Sequence, residues 1–185
     1  MDDTLLARLA DDVDGSFEAF VLAEQHFVFG VALRLTLDRH DAEEVAQEAF
    51  VRAYRALTGY EPERIRALRP RPWLAQITLN VQRNRVRRRR DVVHGPPDLP
   101  APTADGPEER AEAADARSRC AALVASLPEP YRVAVALRHI EGLSYAEVAD
   151  ALDRPVGTVK AQVHRAVAML REKIDEEDNR WRGQE

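Results

Sequence analysis

Cysteine is almost missing from this chain, with Cys120 the single example in 185 residues. A lone thiol excludes an internal disulfide framework and suits a reducing compartment. Glycine is scarce at 8 residues, and no glycine-rich phosphate loop occurs. The β-branched alternation that strands need is also lacking, so the chain reads as nearly all helix. His26, His40, His94, His139 and His164 are scattered, with none of the His-Glu-x-x-His or paired-cysteine spacing of a zinc site. No metal, cofactor or catalytic residue is expected, and an enzyme reading fails. No apolar run reaches the roughly 18 residues of a membrane span. The acidic start, Asp2, Asp3, Asp11, Asp12 and Asp14, is the reverse of a secretory signal. The expectation is a cytoplasmic protein without membrane insertion.

What the chain does have is charge in blocks. The formal net charge is only −5, yet residues 1–63 carry 5 basic and 14 acidic side chains. Residues 64–90 then carry 10 arginines and no acid. An acidic block beside a basic one implies two surfaces with two different partners. A run such as Arg83, Arg85, Arg87, Arg88, Arg89 and Arg90 is costly to hold together unless something anionic lies against it. Phosphate is the natural partner, and a disordered basic arm is the plain alternative.

Proline places the joints. Asp91–Pro107 collects Pro96, Pro97, Pro100, Pro102 and Pro107 with few apolar residues, which is the composition of an extended linker. The expected architecture is all-α, two small helical domains over residues 1–90 and 115–185, joined by a proline-rich acidic tether at 91–114. In the first domain a long helix is expected to start at Ser16, burying Phe17, Phe20, Val21, Phe27, Val31 and Leu35. A second is expected from Asp41, with Glu44 at capping-box spacing, to about Leu57, burying Ala42, Val45, Ala46, Ala49, Phe50, Ala53 and Leu57. Thr58–Pro72 reads as a loop with about one helical turn, and a third long helix as running from about Trp73 to Arg90. There Leu74, Ile77, Thr78 and Val81 face inward. Asn80 and Asn84 stand one turn apart on the polar side, where they suit hydrogen bonding to base edges. Trp73 reads as core, since Ile77 follows four residues on.

In the second domain, helices are expected through Leu127 and over Tyr131–His139. Next comes the most telling segment. Leu143-Ser-Tyr-Ala-Glu-Val-Ala-Asp-Ala-Leu152 begins with Ser144 and Glu147 at capping-box spacing. The helix must end near Asp153, because Pro155 disfavours a helical residue before it and is suited to opening the next helix. Val159, Val163, Ala166, Val167 and Leu170 then form an apolar stripe that leaves Lys160, Gln162, His164 and Arg165 elsewhere. This is the build of a helix-turn-helix whose second helix enters a DNA major groove. An ordinary helical hairpin with a solvated face is the alternative for the segment alone.

With both domains in view, the chain resembles the extracytoplasmic-function sigma factors of the sigma-70 family. Asp41-Ala-Glu-Glu-Val-Ala-Gln-Glu-Ala-Phe-Val-Arg-Ala-Tyr54 is similar to the family's second region. Trp73-Leu-Ala-Gln-Ile-Thr-Leu-Asn80 and the arginines after it are similar to the part that reads and opens the minus-10 element. Leu143–Ala149 and Pro155-Val-Gly-Thr-Val-Lys160 resemble the fourth region, which reads the minus-35 element.

The resemblance implies docking on core RNA polymerase, on the largest-subunit coiled coil and the flap, with Asp41, Glu44, Gln47, Glu48 and Arg52 supplying the coiled-coil-binding face. Glu48 and Arg52 are equally a helical pair needing no partner. It implies minus-10 contacts from Tyr60, Arg64, Arg69, Asn80, Arg83, Asn84, Arg87 and Arg88, with a base of the melted non-template strand held at Asn80 and the loop before it. Minus-35 contacts fall to Thr158, Lys160, Ala161, Gln162, His164 and Arg165 on double-stranded promoter DNA. Control by an anti-sigma factor is a further implication. The family commonly has Ser and Arg where this chain has Ala161 and Gln162, Arg at Val167, and glycine at Asp153, so the resemblance does not fix the preferred minus-35 sequence. The competing classes are a stand-alone helix-turn-helix regulator and a decoy that sequesters an anti-sigma factor. The first leaves the acidic face and arginine helix unexplained, and the second leaves Lys160 and Arg165 unexplained.

Overall fold

The computed structural model describes residues 3–92 and 119–182, and every regular element among them is helical. The first module holds α1 (Asp3–Asp11), α2 (Val13–Thr36), α3 (Arg39–Leu57), α4 (Pro62–Arg66) and α5 (Pro70–Val92). The second holds α6 (119–125), α7 (Glu129–Val135), α8 (Tyr145–Leu152) and α9 (Val156–Arg182). Beyond the first two of its residues, which belong to α5, the expected linker at 91–114 lies outside the described residues, as does the helix expected before 119.

The amino-terminal expectation is corrected. Ser16 does not start the first long helix; it is buried inside α2, and the cap is Asp12, whose carboxylate accepts from the Gly15 amide at 3.0 Å. Before it stands α1, which sequence reading left out. Its Leu6, Leu9 and Ala10 are buried. Asp11 and Asp14 are also spent here: Asp11 takes Arg66 of α4 at 2.6 Å, and Asp14 accepts from the Tyr54 hydroxyl at 2.7 Å.

α2 is the central element, with α1, α3, α5 and α7 all packed against it. Phe20, Phe27, Val28, Val31, Ala32 and Leu35 are buried, on more of its circumference than one stripe, as a helix surrounded by others requires. With 24 residues and a window of mean hydropathy 1.2, α2 is long and apolar enough to cross a bilayer, contrary to the expectation of no such run. Here those side chains are used in the core. Leu37, at φ 59°, ends the helix and returns its amide to the Leu33 carbonyl.

α3 starts earlier than its acidic pattern suggested. Its cap is Asp38, which accepts from the Asp41 amide at 2.7 Å, so Asp41 lies in the first turn rather than at the cap. Ala42, Val45, Ala46, Ala49, Ala53 and Leu57 are buried, as the pattern predicted, while Phe50 is only half-buried against the core. α5 opens at Pro70, a turn before Trp73, and buries Leu74, Ala75, Thr78, Leu79 and Val81. Ile77 is only half-buried, and the Thr78 hydroxyl donates to the Leu74 carbonyl at 2.8 Å.

In the second module, α7 stops at Val135 and the chain widens into a π-turn over Ala136–Ile140, where the Glu141 amide bonds the Ala136 carbonyl. The capping box of α8 is complete: Glu147 N–H to Ser144 Oγ is 3.2 Å, and Ser144 N–H to Glu147 Oε2 is 2.8 Å. Those bonds hold the Glu147 carboxyl below its ordinary pKa. Asp153, at φ 52°, takes a left-handed turn position, and Pro155 sits immediately before α9. Val159, Val163 and Ala166 are buried, while Val167 and Leu170 are half-buried against a satellite core with Val124, Leu127 and Val135. The chain beyond Ile174 continues as helix to Arg182.

The two modules touch. α8 lies along α5, and α7 lies against the carboxy-terminal part of α2. Their cores are continuous, with Val133, Leu137, Val148 and Ala151 in one cluster with Phe27, Leu35 and Leu74.

Removal of the α8 cap by Ser144→Ala is expected to lower unfolding free energy by about 1 kcal/mol, read as a fall in denaturant midpoint without a change in slope. An unchanged midpoint would show that tertiary packing alone holds α8.

Candidate nucleic-acid interface

Helical geometry sorts the arginine run into two sets. Residues 80, 83, 84 and 87 fall on one side of a 3.6-residue helix, and 85 and 89 on the other. The second set turns inward to α3. Arg85 reaches Asp41 at 2.6 Å and also pairs with Glu44, and Arg89 grips both Asp41 oxygens at 3.1 Å. The acidic and basic blocks therefore meet within one module instead of forming wholly separate surfaces. Asp41 and Glu44, the first two residues of the expected polymerase face, are engaged by the chain's own arginines. Gln47 is exposed further along α3, beside the Glu48–Arg52 pair at 2.8 Å.

The outward set differs. Asn80, Arg83, Arg87 and Arg88 are exposed, Asn84 is half-buried, and none of these arginines pairs with a described residue. Exposed like charges this close repel unless an anion approaches, which is the requirement phosphate meets.

From the first turn of α5 back to the segment before it, aromatic rings lead from core to surface. Trp73 packs on the core, Tyr60 lies 6.2 Å from it between ring centroids, and the Arg64 guanidinium covers Tyr60 at 3.7 Å. Arg69, the last residue before α5, points to the other module: its Nη2 lies 2.8 Å from Glu147 and its Nη1 3.4 Å from Asp150. Beside it, Arg71 pairs at 3.2 Å with Glu24, which is 2 % exposed; burial raises the Glu24 pKa and Arg71 opposes the rise. Sequence reading missed this pair, because a carboxylate within an apolar stripe carries no local sign of its partner.

On α9, Thr158, Lys160, Ala161, His164 and Arg165 are all exposed. Lys160 and Arg138 flank the Tyr145 ring at 5.8 and 5.0 Å. Arg165 lies 3.4 Å from the Tyr131 hydroxyl, which steadies it on the same module. Gln162 differs from its neighbours: it is half-buried, and its side-chain oxygen is buried without a partner. A side chain added at Gly157 would meet nothing within 4 Å, so packing does not require a glycine there. Among the described residues no cluster of metal-ligating side chains occurs.

A helix-turn-helix module and a second helical module bearing an open arginine face define a class: helical proteins that meet nucleic acid at two places. Residues 20–92 match the model of sigma-70 region 2, and residues 119–170 match that of sigma-70 region 4. The chain is 35% identical over 191 residues to RNA polymerase sigma-H factor of Pseudomonas aeruginosa, covering 94% of this chain and 92% of that one. It is 32% identical over 190 residues to the ECF RNA polymerase sigma-E factor of Escherichia coli, with the same coverages. Among solved structures, CnrH in complex with the cytosolic domain of CnrY aligns with a TM-score of 0.67 at 25% identity, over 95% of this chain and 97% of that one. Bartonella quintana RpoE in complex with the anti-sigma factor NepR shares the fold, with a TM-score of 0.64 at 21% identity. The chain belongs to the sigma-70 family, as an RNA polymerase sigma factor of the extracytoplasmic-function kind.

The split in the arginine run separates two roles by measurement. Arg87→Ala is expected to leave the melting temperature unchanged and to flatten the log–log salt dependence of promoter binding by about 0.7 to 0.9. Arg85→Ala is expected to destabilise the fold by on the order of 1 kcal/mol, since it removes the half-buried arginine that joins Asp41 to Glu44 and leaves Asp41 to Arg89 alone. Reversed effects would show that the faces are assigned the wrong way round.

Proposed function

We propose that this sigma factor docks on core RNA polymerase through the exposed part of α3, around Gln47, Glu48 and Arg52, with Asp41 and Glu44 held beside them by Arg85 and Arg89. The minus-35 element is read by α9, with Lys160, His164 and Arg165 toward base edges, Thr158 and the helix start toward a phosphate, and Ala161 and Gln162 at the margin of the contact. The minus-10 element is read by α5 and the residues before it. Asn80 and Asn84 face bases, Arg83, Arg87 and Arg88 face phosphates, and the Tyr60–Arg64–Arg69 segment receives an unstacked base of the non-template strand. Exposure of two cationic helical faces on separate modules is the observation that carries this reading.

The boundaries assigned are residues 1–90 for the polymerase-docking and minus-10 module, 91–114 for the linker and 115–185 for the minus-35 module. The factor works in the cytoplasm and has no catalytic step of its own; polymerase does the chemistry. CnrH and Bartonella RpoE were each solved with a protein partner, which supports an anti-sigma factor as the controlling partner here.

Run-off transcription with purified core polymerase on genomic fragments tests the whole assignment, and specific start sites are expected. No initiation on any fragment would leave the decoy reading in its place. Lys160→Ala with Arg165→Ala is expected to abolish protection of the upstream element while core binding persists, at about 1–3 kcal/mol per lost base contact. Intact upstream protection would remove α9 from the groove.

A further inference from the structure

On α9 the hydrogen-bonding side chains stand to either side of a line that carries none. Successive residues turn by about 100°, and the buried Val159, Val163 and Ala166 fix the direction of the core. The opposite direction falls between Gly157 and Ala161. Lys160 and His164 lie to one side of it, Thr158 and Arg165 to the other. Both cations are held toward the flanks: Lys160 by the Tyr145 ring of α8 at 5.8 Å, Arg165 by the Tyr131 hydroxyl of α7 at 3.4 Å. Ala161 is exposed, and a Cβ added at Gly157 one turn before it would meet nothing within 4 Å. The outward centre of the helix is open, and its only side chain is one methyl group.

We propose that the Ala161 methyl reads a thymine of the minus-35 element through the C5-methyl group of that base. The inference rests on the assignment of α9 to the major groove made above, and it names the base that one position selects. Ala161 stands at the margin of the hydrogen-bonding contact because it has nothing to bond with, and at the centre of the apolar one. In the major groove every base presents donors or acceptors, and thymine alone adds an apolar group to its edge. A polar edge pressed on Ala161 would lose water and gain no partner, which is costly. A thymine methyl loses nothing polar there, and both methyl groups leave water. Selection at this position therefore works as much by refusal of the other bases as by attraction of one. Lys160, His164 and Arg165 remain free to bond the base edges on either side.

The test uses the full chain with core polymerase, on duplexes carrying the minus-35 element of a promoter mapped by run-off. Each thymine of that element, on either strand, is replaced in turn by uracil, which removes the methyl group and leaves base pairing intact. One replacement is expected to weaken wild-type binding by about fourfold, the worth of one methyl group returned to water. In Ala161→Gly the thymine-to-uracil ratio at that position should fall to about one, as a direct contact between the two methyl groups requires. Each ratio is taken within one variant, so a smaller folded fraction caused by the glycine cancels. Ala161→Ser leaves the helix less disturbed, and its hydroxyl keeps water near the base, so its ratio should also lie below that of wild type. The proposal is overturned if no uracil replacement weakens wild-type binding, or if both variants keep the wild-type ratio at the sensitive position. Protection of the upstream element by the wild-type chain, and its loss in Lys160→Ala with Arg165→Ala, are scored on the unsubstituted duplex. A failure of α9 to enter the groove is thereby told apart from a failure of methyl recognition within it.

Discussion

Arg132 is an arginine with 8% exposure whose hydrogen bonds go to carbonyl oxygens alone: Arg34 at 2.7 Å, Leu127 at 2.8 Å and Ala125 at 3.2 Å. Burial lowers its pKa from the ordinary value, and the charge of Glu129 works against that shift. What makes the site tolerable is where those carbonyls lie. Arg34 is in the last turn of α2, where carbonyls lack helical partners and carry the negative end of the helix dipole. One side chain of the second module thus completes the end of the central helix of the first, and it also ties down the turn between α6 and α7. The same approach of the modules lays α8 along α5 and brings Arg69 to Glu147 and Asp150.

Charge in this protein is organised by helix face, not by sequence block. The acidic stretch and the arginine stretch look like two surfaces when counted along the chain. In the fold, Arg85 and Arg89 neutralise Asp41 and Glu44, while Arg83, Arg87 and Arg88 are offered to solvent. A net charge of −5 is compatible with promoter binding for this reason: the field that a phosphate meets is local, set by Arg83, Arg87 and Arg88 with Asn80 among them.

What could be read from the sequence was short-range chemistry. Ser144 with Glu147, the stop before Pro155, and the stripe from Val159 to Ala166 are each fixed by residues within a turn or two, and they appear where the pattern put them. The alanine-rich side of α3 was legible for the same reason. Errors arose where several residues competed for one role. Asp12, Asp14 and Ser16 all qualify as caps, and only the presence of α1 selects Asp12; Asp38 beats Asp41 because Leu37 takes a left-handed backbone. The facing sides of α5 were within reach of the sequence, since 85 and 89 are one turn apart and opposite 83 and 87. Contacts of Arg69 with α8, or of Arg132 with α2, were not, because they join positions separated by 78 or more residues across a linker and leave no periodic trace.

The alanines of α3 carry a consequence for how this protein can change. Ala42, Ala49 and Ala53 are wholly enclosed, and Ala46 nearly so, and protein interiors are close-packed. Enlarging any of them by even a methyl group would shift the rod as a whole, and with it the opposite side where Gln47 and Glu48 are displayed. Fit to an outside subunit is therefore written partly in positions that never touch it. Drift at those interior sites would be felt first as a misaligned handshake, before any loss of foldedness.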